Sequence, residues 1–209
     1  TVSDLGIVPD DFEATRAVLR EAAQAHELIL TSGGVSVGEE DHVKAAVEAE
    51  GQLDLWKLAI KPGKPLAYGQ VRGQVRGQVR RQVGAGETAS SDASAAFIGL
   101  PGNPVSSFVT FVMLVRPFIL AAMGARDDTL SPRRMTAAFE WPRGGKTESR
   151  REFLRARIGA DGHLALYPSQ GSGVLTSCVW ADGLVDNPPG QKIQPGDTVD
   201  FLPFSEWLR

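Results

Sequence analysis

The amino-acid sequence predicts an α/β fold: a three-layer α/β/α domain with a mostly parallel sheet, followed by a small β-barrel-like domain. In the first part of the chain, segments with helical spacing of apolar residues alternate with short apolar runs, which is typical of strands connected by helices. After residue 132, short strand-like pieces alternate with Gly and Pro turns, as in small all-β domains. We therefore predict domains at 1–127 and 128–209.

The elements of the first domain follow from capping residues and apolar spacing. Asp10 or Asp11 can cap a first helix that runs through Glu21, and Asp41 can cap a second that Gly51 ends. A third begins at Pro104, which needs no N–H at a helix start, and runs to Met123 before Gly124. The predicted strands are Leu28–Thr31, Leu53–Ile60, Pro65–Val71 and Ala96–Leu100.

Residues 70–95 differ from the rest of the first domain. Gly-Gln-Val-Arg repeats run from Gly69 to Arg80, and a segment rich in Gly, Ala and Ser follows. One apolar position in four cannot build a core, so we predict a mobile, expanded hairpin loop. An alternative is an anion-binding arm formed by Arg72, Arg76, Arg80 and Arg81.

The second domain is predicted to be mostly β, with one helix at Val174–Trp180. Its strands are predicted at Met135–Trp141, Phe153–Ile158, Leu164–Tyr167, Leu184–Asn187 and Thr198–Leu202. Eight of its 10 basic residues lie between Arg133 and Arg157. This basic cluster either meets an anion or forms a solvated surface.

Composition excludes several classes of protein. A formal net charge of -3 argues against general nucleic-acid binding, and the single cysteine, Cys178, excludes an internal disulfide and fits a reducing cytoplasm. The most apolar stretch, Phe108–Met123, is interrupted by Arg116 and Pro117, so we expect no membrane span. The chain has no signal segment, but it opens with Thr1 rather than Met, which weakens that observation.

A Gly-rich turn, Thr31–Gly38, directly follows a predicted strand. At the carboxyl end of a parallel strand, glycines let the backbone approach an anion, and free N–H groups and hydroxyls can hold phosphate. A tight turn without chemical function would have the same pattern. Asp10 and Asp41 could hold Mg²⁺ near such a phosphate, or they could simply cap helices.

The segment Trp56–Pro65 carries three lysines. In an extended strand Lys57, Ala59 and Lys61 share one face, and a Pro62-Gly63 turn then presents Lys64 near the same strand end. Grouped ammonium groups suit an oxyanion or a pyrophosphate. A second strand-turn-helix junction, Gly99–Ser106, aims a helix N-terminus at the same sheet edge, so we predict one polyanion pocket.

These three segments, in this order, resemble the molybdopterin molybdenumtransferases of molybdenum cofactor synthesis, including the E domain of gephyrin. The resemblance covers nearly the whole chain except the 70–95 insert. It implies a molybdopterin-binding α/β domain at 1–127 and a β-barrel-like domain after it. It further implies insertion of molybdate into adenylylated molybdopterin with release of AMP, a divalent cation, usually Mg²⁺, and a cytoplasmic homodimer. Family members are about twice as long, so we expect N-terminal domains to be absent here.

The resemblance also implies site residues, carried over motif by motif. Asp10 and Asp41 match active-site acids that would hold the metal, and Lys57 and Lys61 match catalytic lysines. The pterin phosphate and molybdate would be bound by Ser32, Gly33, Gly34, Ser36, Lys64, Pro65, Pro101, Gly102, Asn103 and Ser106. In the second domain Arg150 and Ser172 would complete the oxyanion site, with Arg151 and Ser169 as alternatives.

Two other functions remain open at this point. A molybdopterin adenylyltransferase resembles the first domain, but its loop typically reads Ser-Gly-Gly-Thr-Gly where this chain continues with Val35-Ser36. The second alternative is a noncatalytic scaffold, since the E domain of gephyrin also anchors receptors. Retention of Asp41 and the lysines favours an enzyme.

Overall fold

The computed structural model describes residues 1–35, 42–63, 65–73, 94–125 and 132–207. The chain divides into two compact units, the first formed by Thr1–Lys57 and Pro65–Leu100 and the second by Leu58–Lys64 and Pro101–Arg209. This division into compact units does not test the predicted domain boundary between residues 127 and 128, which stays a prediction.

The first unit contains two helices and a four-stranded sheet. Helices α1 (Phe12–Ala25) and α2 (His42–Glu50) accompany strands β1 (Leu28–Ser32), β2 (Gly51–Lys57), β4 (Pro65–Arg72) and β5 (Ser94–Leu100). The strand order is β1-β5-β4-β2, with β1 parallel to β5 and β4 antiparallel to both its neighbours. The α/β class is confirmed, but the described sheet is mixed rather than mostly parallel. Only residues 58–64 join β2 to β4, too few for the crossover of about a dozen that parallel pairing needs.

The core of the first unit lies between the two helices and the sheet. Leu19 and Ala23 of α1 and Val47 of α2 pack with strand residues such as Ile29 and Phe97. Of the two predicted caps for α1, it is Asp11 whose carboxylate accepts the N–H of Ala14 at 2.8 Å. The helix ends at Ala25, one turn later than predicted.

Arg72 has a structural function in this unit. Its Nη2 donates to the carbonyl oxygen of Ala49 at 2.9 Å and its Nε to that of Glu50 at 3.3 Å, at the carboxyl end of α2. A cation at this end offsets unpaired carbonyls and the helix dipole. Arg76, Arg80 and Arg81 lie outside the described residues, as does most of the predicted loop.

The predicted strand Leu53–Ile60 is wrong, because the structure divides it. Strand β2 ends at Lys57, and a separate two-residue strand, β3 (Ile60–Lys61), pairs in parallel with a strand of the second unit. Lys57 and Lys61 therefore belong to different sheets instead of one strand face. Alternation within a sequence identifies side-chain faces, but it does not show where a strand leaves one sheet for another.

The second unit is built around an open sheet. Besides β3 it contains β6 (Arg133–Thr136), β7 (Arg151–Ile158), β8 (Leu164–Leu166), β9 (Gly183–Asn187) and β10 (Thr198–Pro203). The order is β3-β7-β9-β10-β6, with β8 beside β7. Just beyond β6, the N–H of Ala138 donates to the carbonyl of Leu164 in β8 at 2.9 Å. This bridge curls the sheet as a barrel-like domain requires, although the described strands form no closed barrel.

A continuous helical segment runs from Pro104 to Ala122, as predicted. It consists of α3 (Pro104–Thr110), a π-helical turn (Phe111–Val115) and α4 (Arg116–Ala122), followed by Gly124 at φ 83°. The widened turn ends two residues before Pro117, whose ring lacks an N–H and would clash with a carbonyl one turn earlier. Two short helices, α5 (Thr176–Trp180) and the unpredicted α6 (Phe204–Trp207), complete the unit.

The segment Pro104–Ala122 also meets the length and composition of a membrane span. It has 19 residues and a hydropathy of 1.9, so Arg116 and Pro117 do not interrupt it as the sequence suggested. This criterion alone is weak evidence, because core helices also meet it. Val105, Val109 and Val112 lie in a buried cluster with Phe153 and Leu184 of the sheet. The last part of the segment, α4, has no buried residue, and 33% of the segment is buried.

Candidate functional site

Several predicted ligand-binding residues lie at one end of the first sheet. Strand β1 ends at Ser32, which is in register with Leu100 at the end of the parallel strand β5. In the antiparallel pair, Lys57 at the end of β2 is in register with Pro65 at the start of β4. Register thus places Ser32, Pro65 and Lys57 at the same sheet end. Three strand spacings separate β1 from β2, about 14 Å.

The Gly-rich turn continues from this sheet end. The N–H of Gly33 donates to the carbonyl of Leu100 at 3.0 Å, which ties the turn to β5. Gly33 and Gly34 have φ values of 87° and 67°, in the left-handed region that favours glycine. Ser32 and Gly34 are exposed. The turn therefore exposes backbone at Gly34 to solvent.

The predicted metal site is only partly described. Asp10 is exposed just before α1. Asp41, Ser36 and Lys64 lie outside the described residues. Among the residues that are described, no group of three or more His, Cys, Asp and Glu side chains could hold a metal ion. The Asp10–Asp41 pair thus stays a prediction.

In the second unit, Lys61 and Arg150 meet on one carboxylate. Arg150 donates from Nε and Nη2 to the two oxygens of Glu148 at 3.1 and 2.8 Å. Lys61 Nζ lies 3.4 Å from Oε2 of Glu148 and 3.2 Å from Oε1 of Glu152. We refer to these four residues as the Lys61–Arg150 cluster. It brings together Lys61, which the resemblance implied as a catalytic lysine, and Arg150, which it implied as part of the oxyanion site.

Glu152 is the fixed member of this cluster. Its side chain is 3% exposed, and its Oε2 accepts hydrogen bonds from Trp141 Nε1 at 2.8 Å and Asn187 Nδ2 at 3.2 Å. Strand register places Lys61, Glu152 and Asn187 in one row across β3, β7 and β9. A buried carboxylate needs such partners, because its unpaired charge would be costly away from water.

The neighbouring arginine has a different environment. Arg151 Nε lies 3.2 Å from Oδ1 of Asp186 on β9, and its side chain is 50% exposed. Of the two candidates, only Arg150 shares a carboxylate with Lys61. Its hydrogen bonds hold the pKa of Glu148 at about 2, while the carboxylate in turn raises the pKa of Arg150. Both groups are therefore charged at neutral pH.

The start of α3 is joined to the predicted Ser172 segment. Gly102 and Asn103 are exposed before the helix, whereas Pro101 and Ser106 are buried. The N–H of Val105, in the first helical turn, donates to the carbonyl of Ser172 at 3.0 Å. This contact places the backbone of Ser172 beside the first turn of α3, which also contains Ser106. The choice between Ser172 and Ser169 stays a prediction.

Arg155 holds the Ser172 segment from the sheet side. Its side chain is 0% exposed and donates to Ser177 Oγ at 3.1 Å, the carbonyl of Phe153 at 3.2 Å and the carbonyl of Gly171 at 3.1 Å. Burial lowers the pKa of this guanidinium. Hydrogen bonds to neutral acceptors thus replace part of its lost hydration.

The basic cluster predicted between Arg133 and Arg157 is mostly paired within the chain. Arg133 contacts Glu206, Arg134 contacts Asp200 at 2.7 Å, and Arg157 lies over the ring of Trp180 at 4.6 Å. With Arg150, Arg151 and Arg155 as described, this segment is not a continuous free basic surface.

Sequence reasoning missed the two glutamates and Arg155 as parts of the site. A usable signal was present, since strand Arg151–Ile158 has five consecutive buried residues that include Glu152 and Arg155. A strand buried on both faces must pair any charge that it carries. Spacing rules for helices and turns do not detect a charged residue inside a central strand.

Comparison with known families agrees with this architecture. Residues 1–121 match the family described as probable molybdopterin binding domain, and residues 137–204 match the MoeA C-terminal region (domain IV). The first match covers more than half of the chain. This chain belongs to the molybdopterin-binding domain family, in the form that carries a MoeA-type C-terminal region.

Individual relatives agree with that assignment. The chain is 35% identical over 99% of its length to a molybdopterin molybdenumtransferase from Haemophilus influenzae, of which it covers 47%. It is 33% identical over 88% of its length to one from Synechococcus elongatus, of which it covers 40%. A molybdopterin biosynthesis MoeA protein from Pyrococcus horikosii superposes with a TM-score of 0.69 at 25% identity, over 95% of this chain and 42% of that one. The chain thus spans about half the length of these relatives or less.

Proposed function

We propose that this chain forms the molybdate-inserting part of a molybdopterin molybdenumtransferase. The reaction takes adenylylated molybdopterin and molybdate and yields AMP and the molybdenum cofactor. The family membership and the relatives' names support a function in molybdenum cofactor biosynthesis. The chain covers 47% of its Haemophilus influenzae relative, so we propose this activity for a protein of the relative's full length.

The Lys61–Arg150 cluster is the observation that carries the proposal. A carboxylate is itself an oxyanion, and Lys61 and Arg150 both approach that of Glu148, at 3.4 and 2.8 Å. Two cations that converge on one oxyanion can do the same for molybdate. Since molybdate is a dianion that must meet an anionic pterin, these cations would offset the repulsion and hold molybdate at reacting distance.

Backbone groups would hold the phosphate of the pterin. Ser32 and Gly34 are exposed in the Gly-rich turn, and Gly102 and Asn103 are exposed before α3. N–H groups in such turns and at helix starts bind phosphate without a side-chain charge. Lys57 and Pro65 of the first unit, and Ser106 and Ser172 of the second, are further proposed substrate-binding residues, as are Ser36 and Lys64 outside the described residues.

The proposal includes a magnesium ion held by Asp10 and Asp41 together with the substrate phosphate. When bound, such an ion would polarise the adenylate phosphate. Carboxylate oxygens suit this hard cation, which usually retains substrate phosphate and water as further ligands. We assign no general base. We also propose that the protein is a homodimer in the cytoplasm.

Molybdate-dependent AMP release tests the function. The chain, or the full-length protein if the chain is part of one, is incubated with adenylylated molybdopterin, molybdate and Mg²⁺. We expect Lys61→Ala and Asp41→Asn to lower kcat/KM about a hundredfold, as removal of one charge-stabilising group does in other enzymes. Lys192→Ala, an exposed lysine of the second unit, serves as the control. Wild-type rates for both site variants would contradict their assignment.

The same assay distinguishes the two other functions. Adenylate formation from molybdopterin and ATP, without molybdate insertion, would instead indicate an adenylyltransferase. A gephyrin from Dictyostelium discoideum is 40% identical over 59% of this chain. A noncatalytic scaffold is therefore the other alternative function to be tested. Absence of both reactions in a folded, full-length protein would favour that scaffold.

A further inference from the structure

Two carboxylates contact Lys61, and they differ in how firmly they are held. Glu152 lies inside strand β7 and is additionally bound by Trp141 and Asn187. Glu148 lies in the irregular segment before that strand, and its side chain is 21% exposed. The Glu148 carboxylate contacts two cations, Lys61 and Arg150. Glu148 is thus the carboxylate that can leave.

Glu148 occupies the position that an external oxyanion would need. Arg150 presents Nε and Nη2 as a planar fork to Oε1 and Oε2, at 3.1 and 2.8 Å, and Lys61 approaches Oε2 from 3.4 Å. This two-pronged geometry suits carboxylate and other oxyanions alike. An oxyanion and the Glu148 carboxylate cannot both fill the fork.

The charges of the cluster lead to the same conclusion. Lys61 and Arg150 contribute two positive charges, and Glu148 and Glu152 contribute two negative ones, so the cluster is balanced. A dianion added to this balanced set would gain little attraction. If Glu148 leaves, the three remaining groups carry a net charge of about +1, which favours anion binding.

We propose that Glu148 is an affinity-determining residue, whose carboxylate holds the anion position between Lys61 and Arg150 until an oxyanion displaces it. Glu152 remains bound to Lys61 throughout and keeps the ammonium group in place. The identity of the anion as molybdate rests on the proposed function, but the exchange of one carboxylate for an external oxyanion does not.

Calorimetric titration with molybdate at neutral pH tests this exchange. We expect Glu148→Gln to bind molybdate about tenfold more tightly than the unaltered chain, because no internal anion competes for the two cations. Glu206→Gln is the matched control, since it also removes one negative charge that is paired with an arginine, Arg133, outside the cluster. Its molybdate affinity should stay within about twofold of the unaltered chain.

Further variants assign the gain to the cluster. In the Glu148→Gln background, Lys61→Ala or Arg150→Ala should abolish the increase in affinity. Equal or weaker binding by Glu148→Gln would overturn the proposal, as would an equal gain in Glu206→Gln. Undetectable binding in both the unaltered chain and Glu148→Gln would also overturn it.

These outcomes separate the inference from the proposed function. If Lys61→Ala and Arg150→Ala weaken binding while Glu148→Gln does not strengthen it, the displacement is wrong and the oxyanion site remains. If Glu148→Gln strengthens binding through Lys61 and Arg150 but no AMP release is found, the displacement stands and the proposed reaction fails.

Discussion

The side chain of Gln170 pairs with the backbone of Arg155 as a neighbouring strand would. Its Oε1 accepts the Arg155 N–H at 2.8 Å, and its Nε2 donates to the Arg155 carbonyl at 3.0 Å. This happens just where β8 has ended, so the amide continues the ladder on that side of β7. Arg155 then donates from its own side chain to Gly171. Together these contacts hold the segment that leads to Ser172.

We predict that Gln170→Met destabilises the protein by about 1 to 2 kcal/mol, because the buried N–H of Arg155 loses its partner. The Arg155 carbonyl keeps the N–H of Tyr167 at 3.1 Å. Urea unfolding measures the change. Amide exchange at Val105 should also become faster, since its N–H donates to Ser172. Gln194→Met, at an exposed position, is the control. Unchanged exchange at Val105 would show that Gln170 does not position this segment.

Gly63→Ala should be strongly destabilising. Gly63 has a φ of 119°, and a Cβ built there would lie 2.6 Å from Cγ2 of Thr110. Backbone strain and overpacking together predict a loss of about 2 to 4 kcal/mol. Gly144 also has a positive φ, 62°, but a Cβ built there would meet nothing within 4 Å. The variant Gly144→Ala therefore measures the backbone strain without a clash. Equal losses for the two variants in thermal unfolding would contradict the predicted clash.

Glu50→Gln should reduce stability at neutral pH but not in strong acid. Hydrogen bonds from Arg20, with those from Arg16, lower the pKa of Glu50 to about 2 from an ordinary value of 4.5. The stabilisation is therefore present above about pH 4.5 and is lost as pH falls towards 2. We expect a difference of about 1 kcal/mol at pH 7.

Urea unfolding from pH 7 to pH 2 checks this pH dependence. Glu48→Gln is the control on the same helix, because Glu48 lies 4.0 Å from Lys44 and is 53% exposed. Its effect should be small throughout. A Glu50→Gln difference that persists at pH 2 would mean that the arginine contacts are not its cause.

Asp186→Asn should increase the stability of the protein at neutral pH, whereas Glu50→Gln should reduce it. Burial raises the pKa of Asp186, Arg151 lowers it, and the carboxylate of Asp200 directly across the strands raises it. A raised pKa means that the charged form is disfavoured in the fold, so the cost is present above the folded-state pKa and absent in acid. We predict a gain of up to about 1 kcal/mol at pH 7, the size of a like-charge pair across strands.

Thermal unfolding of Asp186→Asn at pH 7 and pH 3 measures this effect. The ion pair with Arg151 opposes the predicted gain, because it stabilises the charged form of Asp186. Arg151 Nε lies 3.2 Å from Asp186 Oδ1, although that oxygen makes no well-aligned hydrogen bond. Lower stability of the variant at pH 7 would show that this ion pair outweighs burial and repulsion. In Arg151→Gln we expect destabilisation, because Asp186 then loses its counter-charge.

Features with local causes were predictable from the sequence. The start of α3 at Pro104 and the end of the helical segment at Gly124 follow from a missing N–H and a positive φ. Asp11 was one of two residues expected to cap α1, and only the observed hydrogen bond to Ala14 decides between them. The three motifs and their order were sufficient to indicate the family.

Long-range pairing was not predictable in the same way. A strand from Leu53 to Ile60 satisfied alternation, but β3 pairs instead with β7, about 90 residues later in the chain. That pairing places Lys61 beside Glu152 and removes it from the sheet that contains Lys57. No local pattern encodes which of two sheets a short segment joins.

By itself, the sequence determined the class of fold, the helix ends and the residues able to bind an anion, because these depend on backbone restrictions and side-chain chemistry within a few positions. Only the tertiary structure decided that Lys61 and Arg150 meet on Glu148, and that Arg155 is fully buried. Ion pairs and burial arise between segments that are distant in the chain, and their energies depend on the distances and solvent exposure that folding creates.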